Sequence, residues 1–224
     1  MSFIEFRNVD LTFQTKVQRI PILKNLNLEI EKGEFITIAG PYGKGKSTLL
    51  NLVSGFVKPT GGEIWVDGKN LNKMNDAQVC DYRNKRIGYI FQTFNLIQQF
   101  NVRDNVAVPL LLSGMKKKES YKKVEELLEK VGMTNRVFEY PRTLSGGEQQ
   151  RVAFARAMAN SPDIILADEP TGNLDSATGD LIIKQLFNLN KSLGATLVVV
   201  THDEDLASKC QIQISIKDGK IVSN

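Results

Sequence analysis

Three features of the 224-residue sequence predict an α/β fold. Short apolar, β-branched runs at residues 34–39 (EFITIA), 164–167 and 196–201 read as buried strands of a core sheet. Between them lie stretches with apolar residues at helical spacing. Near both ends, apolar and polar residues alternate, as in half-buried strands. Hydrophobic residues make up 42% and charged residues 24%, ordinary values for a globular chain, which excludes disordered, collagen-like and coiled-coil classes. The length suits one domain, or one core with a modest insertion.

Residues 3–9 alternate, as do Leu26, Leu28 and Ile30 with Asn27 and Glu29, so two strands are expected before the Lys32-Gly33 turn. The strand at 34–39 runs into a Gly-rich loop, and a helix is expected from about Lys46, stopped by Gly55. Ile64-Trp65-Val66 and the Asp67-Gly68 turn form the next strand, with Trp65 a packed aromatic, and residues 87–91 another. From about Gln98 to Met158 the pattern is helical: Val124, Leu127, Leu128 and Val131 share one face. Lysines 116–118, 122 and 123 are balanced there by Glu119, Glu125, Glu126 and Glu129, and read as a solvated face rather than a nucleic-acid patch. An amphipathic helix at 177–193 separates the strands at 164–167 and 196–201, and a hairpin through Asp218-Gly219 closes the chain.

Charge and cysteines narrow the function little. A net charge of +4 is too small to select a nucleic acid or an anionic membrane as partner. Cys80 and Cys210 lie far apart without metal-ligand spacing, so both read as structural thiols of a reducing compartment. The first residues lack the pattern of a secretory signal, and no apolar run approaches the ~20 residues that span a bilayer.

The chemistry begins at Gly40-Pro41-Tyr42-Gly43-Lys44-Gly45-Lys46-Ser47, which fits G-x-x-x-x-G-K-[ST] between a predicted strand and helix. Glycines let the backbone N–H groups turn inward around phosphates, and the helix N-terminus adds partial positive charge. Lys46 would bridge the β- and γ-phosphates, and the Ser47 hydroxyl, beside Thr48, would ligate Mg²⁺. The strand at 164–167 ends in Asp168-Glu169, 122 residues after Lys46. Consecutive strand residues point to opposite sides, so Asp168 can hold the Mg²⁺ sphere while Glu169 polarises an attacking water.

Leu144-Ser145-Gly146-Gly147-Glu148, at the start of a helix-like run, resembles the signature of the ATP-binding cassette (ABC) family. That resemblance implies a P-loop NTPase core with an antiparallel β subdomain and an inserted α-helical subdomain. The division would be 1–91 for the β subdomain and first part of the core, 92–158 for the helical insertion and 159–224 for the rest. It also implies a head-to-tail dimer holding two MgATP between the Lys46 loop of one copy and Ser145, Gly146 and Gly147 of the other. By the same resemblance Phe13 stacks on adenine, although it would equally suit a core. Gln92 approaches Mg²⁺ and links the core to the insertion, Asp175 lies on a loop that crosses the dimer, and His202, the single histidine, contacts the γ-phosphate. Tyr42 and Lys44 depart from the small or polar residues common in the family, at the rim facing the partner cassette.

Within the family, residues 91–97, 144–152 and 167–176 resemble the lipoprotein-release and macrolide-export subfamily, to which the cell-division-type (FtsE-like) cassette is similar. DNA-repair ABC ATPases are set apart by a coiled coil or zinc-bearing insertion between phosphate loop and acid pair. The resemblance therefore implies an ATPase on the cytoplasmic face of the cell membrane that drives export or lipoprotein release through a separate integral membrane permease, or, as the FtsE-like alternative, signals through a membrane partner, and does not act with nucleic acid.

Overall fold

The computed structural model describes residues 2–16, 18–39, 45–172, 176–202, 206–207, 210 and 212–223. In chain order the elements are β1 (Ile4–Gln14), β2 (Arg19–Ile30), β3 (Phe35–Ala39), α1 (Lys46–Val53), β4 (Gly61–Val66), β5 (Lys69–Asn70), α2 (Asp76–Arg86) and β6 (Ile87–Ile90). They continue with α3 (Val102–Leu112), α4 (Lys117–Lys130), α5 (Gly146–Ala157), β7 (Ile164–Asp168), α6 (Ser176–Leu193), β8 (Thr196–Val200), β9 (Ile212–Lys217) and β10 (Lys220–Ser223).

Among the described residues the strands form two sheets. One is antiparallel, in the order β2-β1-β4-β5. The other has the order β10-β9-β3-β8-β7-β6, and its strands are parallel except for β10. Lys24 of β2 donates its backbone N–H to the Gly219 carbonyl in the β9–β10 turn at 2.9 Å, which stitches the two sheets together.

The core strands are continuous apolar runs because both faces of their sheet are covered. Ile36, Ile38, Ile164, Leu166, Val198 and Val200 pack with Leu49, Leu50, Leu52 and Val53 of α1 and with the inner face of the antiparallel sheet. Phe35, Ile165, Ala167, Leu197 and Val199 point the other way, against Val106 and Leu110 of α3, Leu128 of α4, Phe154 of α5 and Ile182 and Leu186 of α6. Burying each large aliphatic side chain contributes about 1.5–3 kcal/mol, so alternate residues of one strand hold both outer layers. On α4, Val124, Leu127 and Leu128 are buried while most of the lysines and glutamates are exposed, as expected of a solvated face.

Two elements lack an apolar signal strong enough to announce them. Helix α2 buries only Val79 and Tyr82, yet it starts in a capping box in which the Asn75 and Gln78 side chains each accept the other's backbone N–H at 2.9 Å. The two-residue strand β5 exists through pairing with β4. Of the cysteines, Cys210 is half-buried and burial pushes its thiol up to about 11. Cys80 is a correction: it is exposed on α2, where its sulfur accepts from the Arg83 guanidinium at 3.2 Å.

Candidate functional site

The phosphate-loop motif joins β3, a buried strand between β9 and β8, to α1. Gly40, Tyr42, Gly43 and Lys44 lie outside the described residues, as do the departures at positions 42 and 44. Gly45 is the N-cap of α1 with φ +94°, a left-handed conformation that a side chain would strain. Among the described residues no side chain caps α1, and no acid stands in its first turn. The positive end of its dipole, with its first-turn N–H groups, is thus left for an anion from outside the helix. Lys46 follows, only 7% exposed; Ser47 is exposed and Thr48 half-buried.

Strand β7, next to β8, brings the acid pair to the same end of the sheet. Asp168 accepts a hydrogen bond from the Ser47 hydroxyl at 3.0 Å. Burial raises the Asp168 carboxyl above its usual value; the Ser47 bond opposes this, the neighbouring Glu169 charge adds to it, and Lys46 opposes it. Glu169 donates its backbone N–H to the Val200 carbonyl at 2.9 Å, takes φ +47° and is 6% exposed. A non-glycine residue held there costs about 1–3 kcal/mol, so the surroundings must impose it. The geometry turns its carboxylate to His202 just beyond β8, with Nδ1 to Oε2 at 2.7 Å. Thus Ser47–Asp168 and Glu169–His202 form two adjacent pairs at the ends of neighbouring parallel strands, where open α/β sheets bind ligands.

Gln92 follows β6, the strand beside β7, and also reaches this place. A β-carbon on Gly172 would stand 3.5 Å from Glu169 Cβ and 3.8 Å from Gln92 Nε2. Phe13 is 43% exposed near the end of β1, which removes the core alternative and leaves a free ring face for stacking. Ser145 is the N-cap of α5, in a reciprocal box with Glu148: Ser145 N–H donates to Glu148 at 2.8 Å and Glu148 N–H to the Ser145 hydroxyl at 3.3 Å. Those contacts, backbone N–H first, hold the Glu148 carboxyl below its ordinary value against a smaller burial effect. Gly146 and Gly147 make the first turn. A β-carbon on Gly147 would lie 2.8 Å from Thr178 Cγ2, so this glycine lets α5 approach α6. Asp175 lies outside the described residues.

Two polar residues of α5 escaped the sequence reading, in which they merely belong to a helix. Gln150, 1% exposed, donates to the Pro170 carbonyl at 2.7 Å, one residue past Glu169. Arg156 donates to the carbonyls of Phe94 at 2.8 Å and Asn95 at 2.6 Å. For Arg156 the signal in the sequence is a long polar side chain on the otherwise apolar run at residues 152–157, a placement that needs a partner; Gln150, among Glu148, Gln149 and Arg151, carries no such signal.

A phosphate-loop strand and helix, an acid pair on the strand beyond β8 in the same sheet and an inserted helical layer define a P-loop nucleotide hydrolase. Comparison with known proteins narrows the class. The sequence matches the ABC transporter family over residues 23–172. It is 44% identical over 204 residues to the lipoprotein-releasing system ATP-binding protein LolD 1 of Chlorobium chlorochromatii, covering 91% of this chain and 83% of that one. It is 40% identical to the macrolide export ATP-binding/permease protein MacB of Aggregatibacter actinomycetemcomitans over 100% of this chain and 35% of that longer protein. Among solved structures, the dimeric post-hydrolysis state of the ATP-binding cassette MJ0796 bound to ADP and Pi superposes with a TM-score of 0.91 at 42% identity, covering 97% and 96% of the two chains. The chain belongs to the ABC transporter family, as an ATP-hydrolysing subunit with the ABC ATPase fold. The resemblance carried by the motifs, lipoprotein-release and macrolide-export relatives included, is borne out.

Proposed function

We propose that this chain binds MgATP at Lys46, closes head to tail on a second cassette, and hydrolyses ATP to drive export or lipoprotein release through a separate integral membrane permease. The observation that carries the hydrolytic part is the convergence of Ser47 with Asp168, 3.0 Å apart, beside Glu169 with His202, 2.7 Å apart. Ser47 and Asp168 offer two hard oxygen donors side by side, the protein share that Mg²⁺ takes when water and substrate phosphates supply the rest. Ser47 and Asp168, with the Gln92 amide near, would hold Mg²⁺, which would supply charge neutralisation at the β- and γ-phosphates. Glu169 orients a water in line with the γ-phosphorus. The new P–O bond forms as the bond to the β–γ bridging oxygen breaks, that oxygen leaves with ADP, and the water's proton passes to Glu169. Lys46 and His202 hold the charge on the transferred group, and Ser145, Gly146 and Gly147 of the opposing cassette close the other side. In this reading Phe13 would stack on the adenine, Gly40, Tyr42, Gly43, Lys44, Gly45 and Thr48 would contact the phosphates, and Asp175 would belong to the loop that crosses the dimer.

The partner reading is supported by a groove of about 500 Å³ beside the Gln92 loop. Phe56, Ile87, Tyr89, Phe91, Val108 and Leu112 make it apolar, and Leu112 is 74% exposed. Arg83 supplies its charge, with no carboxylate among the described residues that line it. Such walls suit an apolar segment of the permease carrying an acidic residue. Among the described residues no helix is long and apolar enough to cross a membrane, so in this reading the chain is held at the cytoplasmic face by that contact. Affinity purification from the native membrane, with and without Leu112→Glu, tests it. One integral membrane protein should accompany the wild-type chain and be lost with the variant. A DNA-stimulated ATPase without a membrane partner would overturn it.

A further inference from the structure

The loop after Gln92 has an unusual backbone and an unusual anchor. Phe94 and Asn95 are consecutive left-handed residues, with φ +60° and +49°. For phenylalanine this conformation is an outlier, so something outside the loop must hold it. Within the loop, Phe94 N–H donates to the Phe91 carbonyl at 3.1 Å and the Thr93 hydroxyl to the Asn95 side chain at 3.0 Å. From outside comes Arg156, whose two terminal nitrogens each take one of the two carbonyls. No carboxylate among the described residues pairs with this guanidinium, and burial lowers its pKa to about 10. A half-buried cation spent on two backbone carbonyls shapes a loop, since an ordinary surface cation would stay in water.

The anchor is rigid and leads elsewhere. Arg156 stands in the last turn of α5, eleven residues after Ser145 at the N-cap of the same helix, a span of roughly 16 Å. The helix packs on β6, which delivers Gln92, and Gln150 ties its middle to Pro170 beside Glu169.

We propose that Arg156 is a positioning residue for hydrolysis: by clamping the Phe94 and Asn95 carbonyls it sets where the Gln92 amide sits, so that the Gln92 loop moves with the helix that carries Ser145. This rests on the reading of Gln92 as a group that approaches the Mg²⁺ of this chain's own nucleotide. Closure against a partner cassette, felt at Ser145, then reaches the local γ-phosphate through one side chain rather than through loop flexibility.

A double-mutant cycle on the full chain tests it. Arg156→Met should lower kcat roughly tenfold or more while leaving ATP affinity without Mg²⁺ within about twofold. Arg156→Lys, which keeps the charge but not the two-pronged geometry, should fall between. In a Gln92→Ala background the same Arg156 substitutions should change the residual kcat by less than about twofold, because the group they position is gone. Equal fold-losses in both backgrounds, or unchanged kcat in both Arg156 variants, overturn the proposal. Should Arg156→Met fail to fold by circular dichroism, Arg156→Lys carries the cycle; if neither folds, the residue is purely structural and the proposal falls. Wild-type turnover that Glu169→Gln does not abolish would instead refute the reading of the site itself.

Discussion

Nδ1 of His202 lies 2.7 Å from Oε2 of Glu169, and the same oxygen accepts the His202 backbone N–H at 3.3 Å. A residue two positions beyond β8 thus grips, by ring and by main chain, a carboxylate one position beyond β7. Val200 locks the pairing by accepting the Glu169 N–H. The carboxylate direction is therefore set by sheet register, with Asp168 opposite Val200, and not by the exposed loops.

Glu169→Gln keeps the shape of this grip and removes the base. ATP binding should persist and the ATP complex should sediment as a dimer, while phosphate release falls by about 10²–10⁴-fold. Lys46→Ala should instead weaken nucleotide binding itself, as read by titration. Near-normal turnover of Glu169→Gln would remove Glu169 from the role.

Asp168 predicts a trade between stability and activity. Its carboxyl is raised, chiefly by burial, so its contribution favours folding below the unfolded pKa and is lost as pH rises through the higher folded value. At neutral pH the nucleotide-free chain carries an ionised, partly buried carboxylate at a cost. Asp168→Asn should raise the thermal midpoint by a few degrees at pH 7, with the gain vanishing near pH ~3, where the wild-type group is itself protonated. The same variant should lose Mg²⁺-dependent hydrolysis. A gain that is equal at both pH values would show that charge burial is not its origin.

Gly147 carries a packing prediction that is separable from nucleotide contact. A methyl there meets Thr178 Cγ2 at 2.8 Å, so Gly147→Ala should destabilise the chain by about 1–3 kcal/mol in urea unfolding. Adding Thr178→Ser, which removes that methyl group, should restore most of the loss. Failure of the second substitution to restore stability would place the strain elsewhere.

Legibility in the sequence tracked the locality of the physics. Residues 164–167 and 196–201 are legible because strands covered on both faces must be apolar throughout, and residues 40–47 because a loop that wraps phosphate needs glycine at fixed spacing. Helix α2 was opaque: its stability comes from a reciprocal cap at Asn75 and Gln78 and from two buried side chains, too few to set a period. The place of Cys80 is equally opaque, because the rarity of cysteine says nothing about which face of α2 it occupies.

By itself the sequence determined the fold class, the order of the motifs and the chemical identity of each candidate group, because these depend on local patterning and residue type. Only the tertiary structure decided who meets whom. It turned Ser47 toward Asp168 and Glu169 toward His202 across separations of 121 and 33 residues, exposed Phe13, and spent Arg156 on the loop after Gln92. Those pairings are set by strand register and helix docking, long-range packing outcomes that leave no periodic trace in the chain.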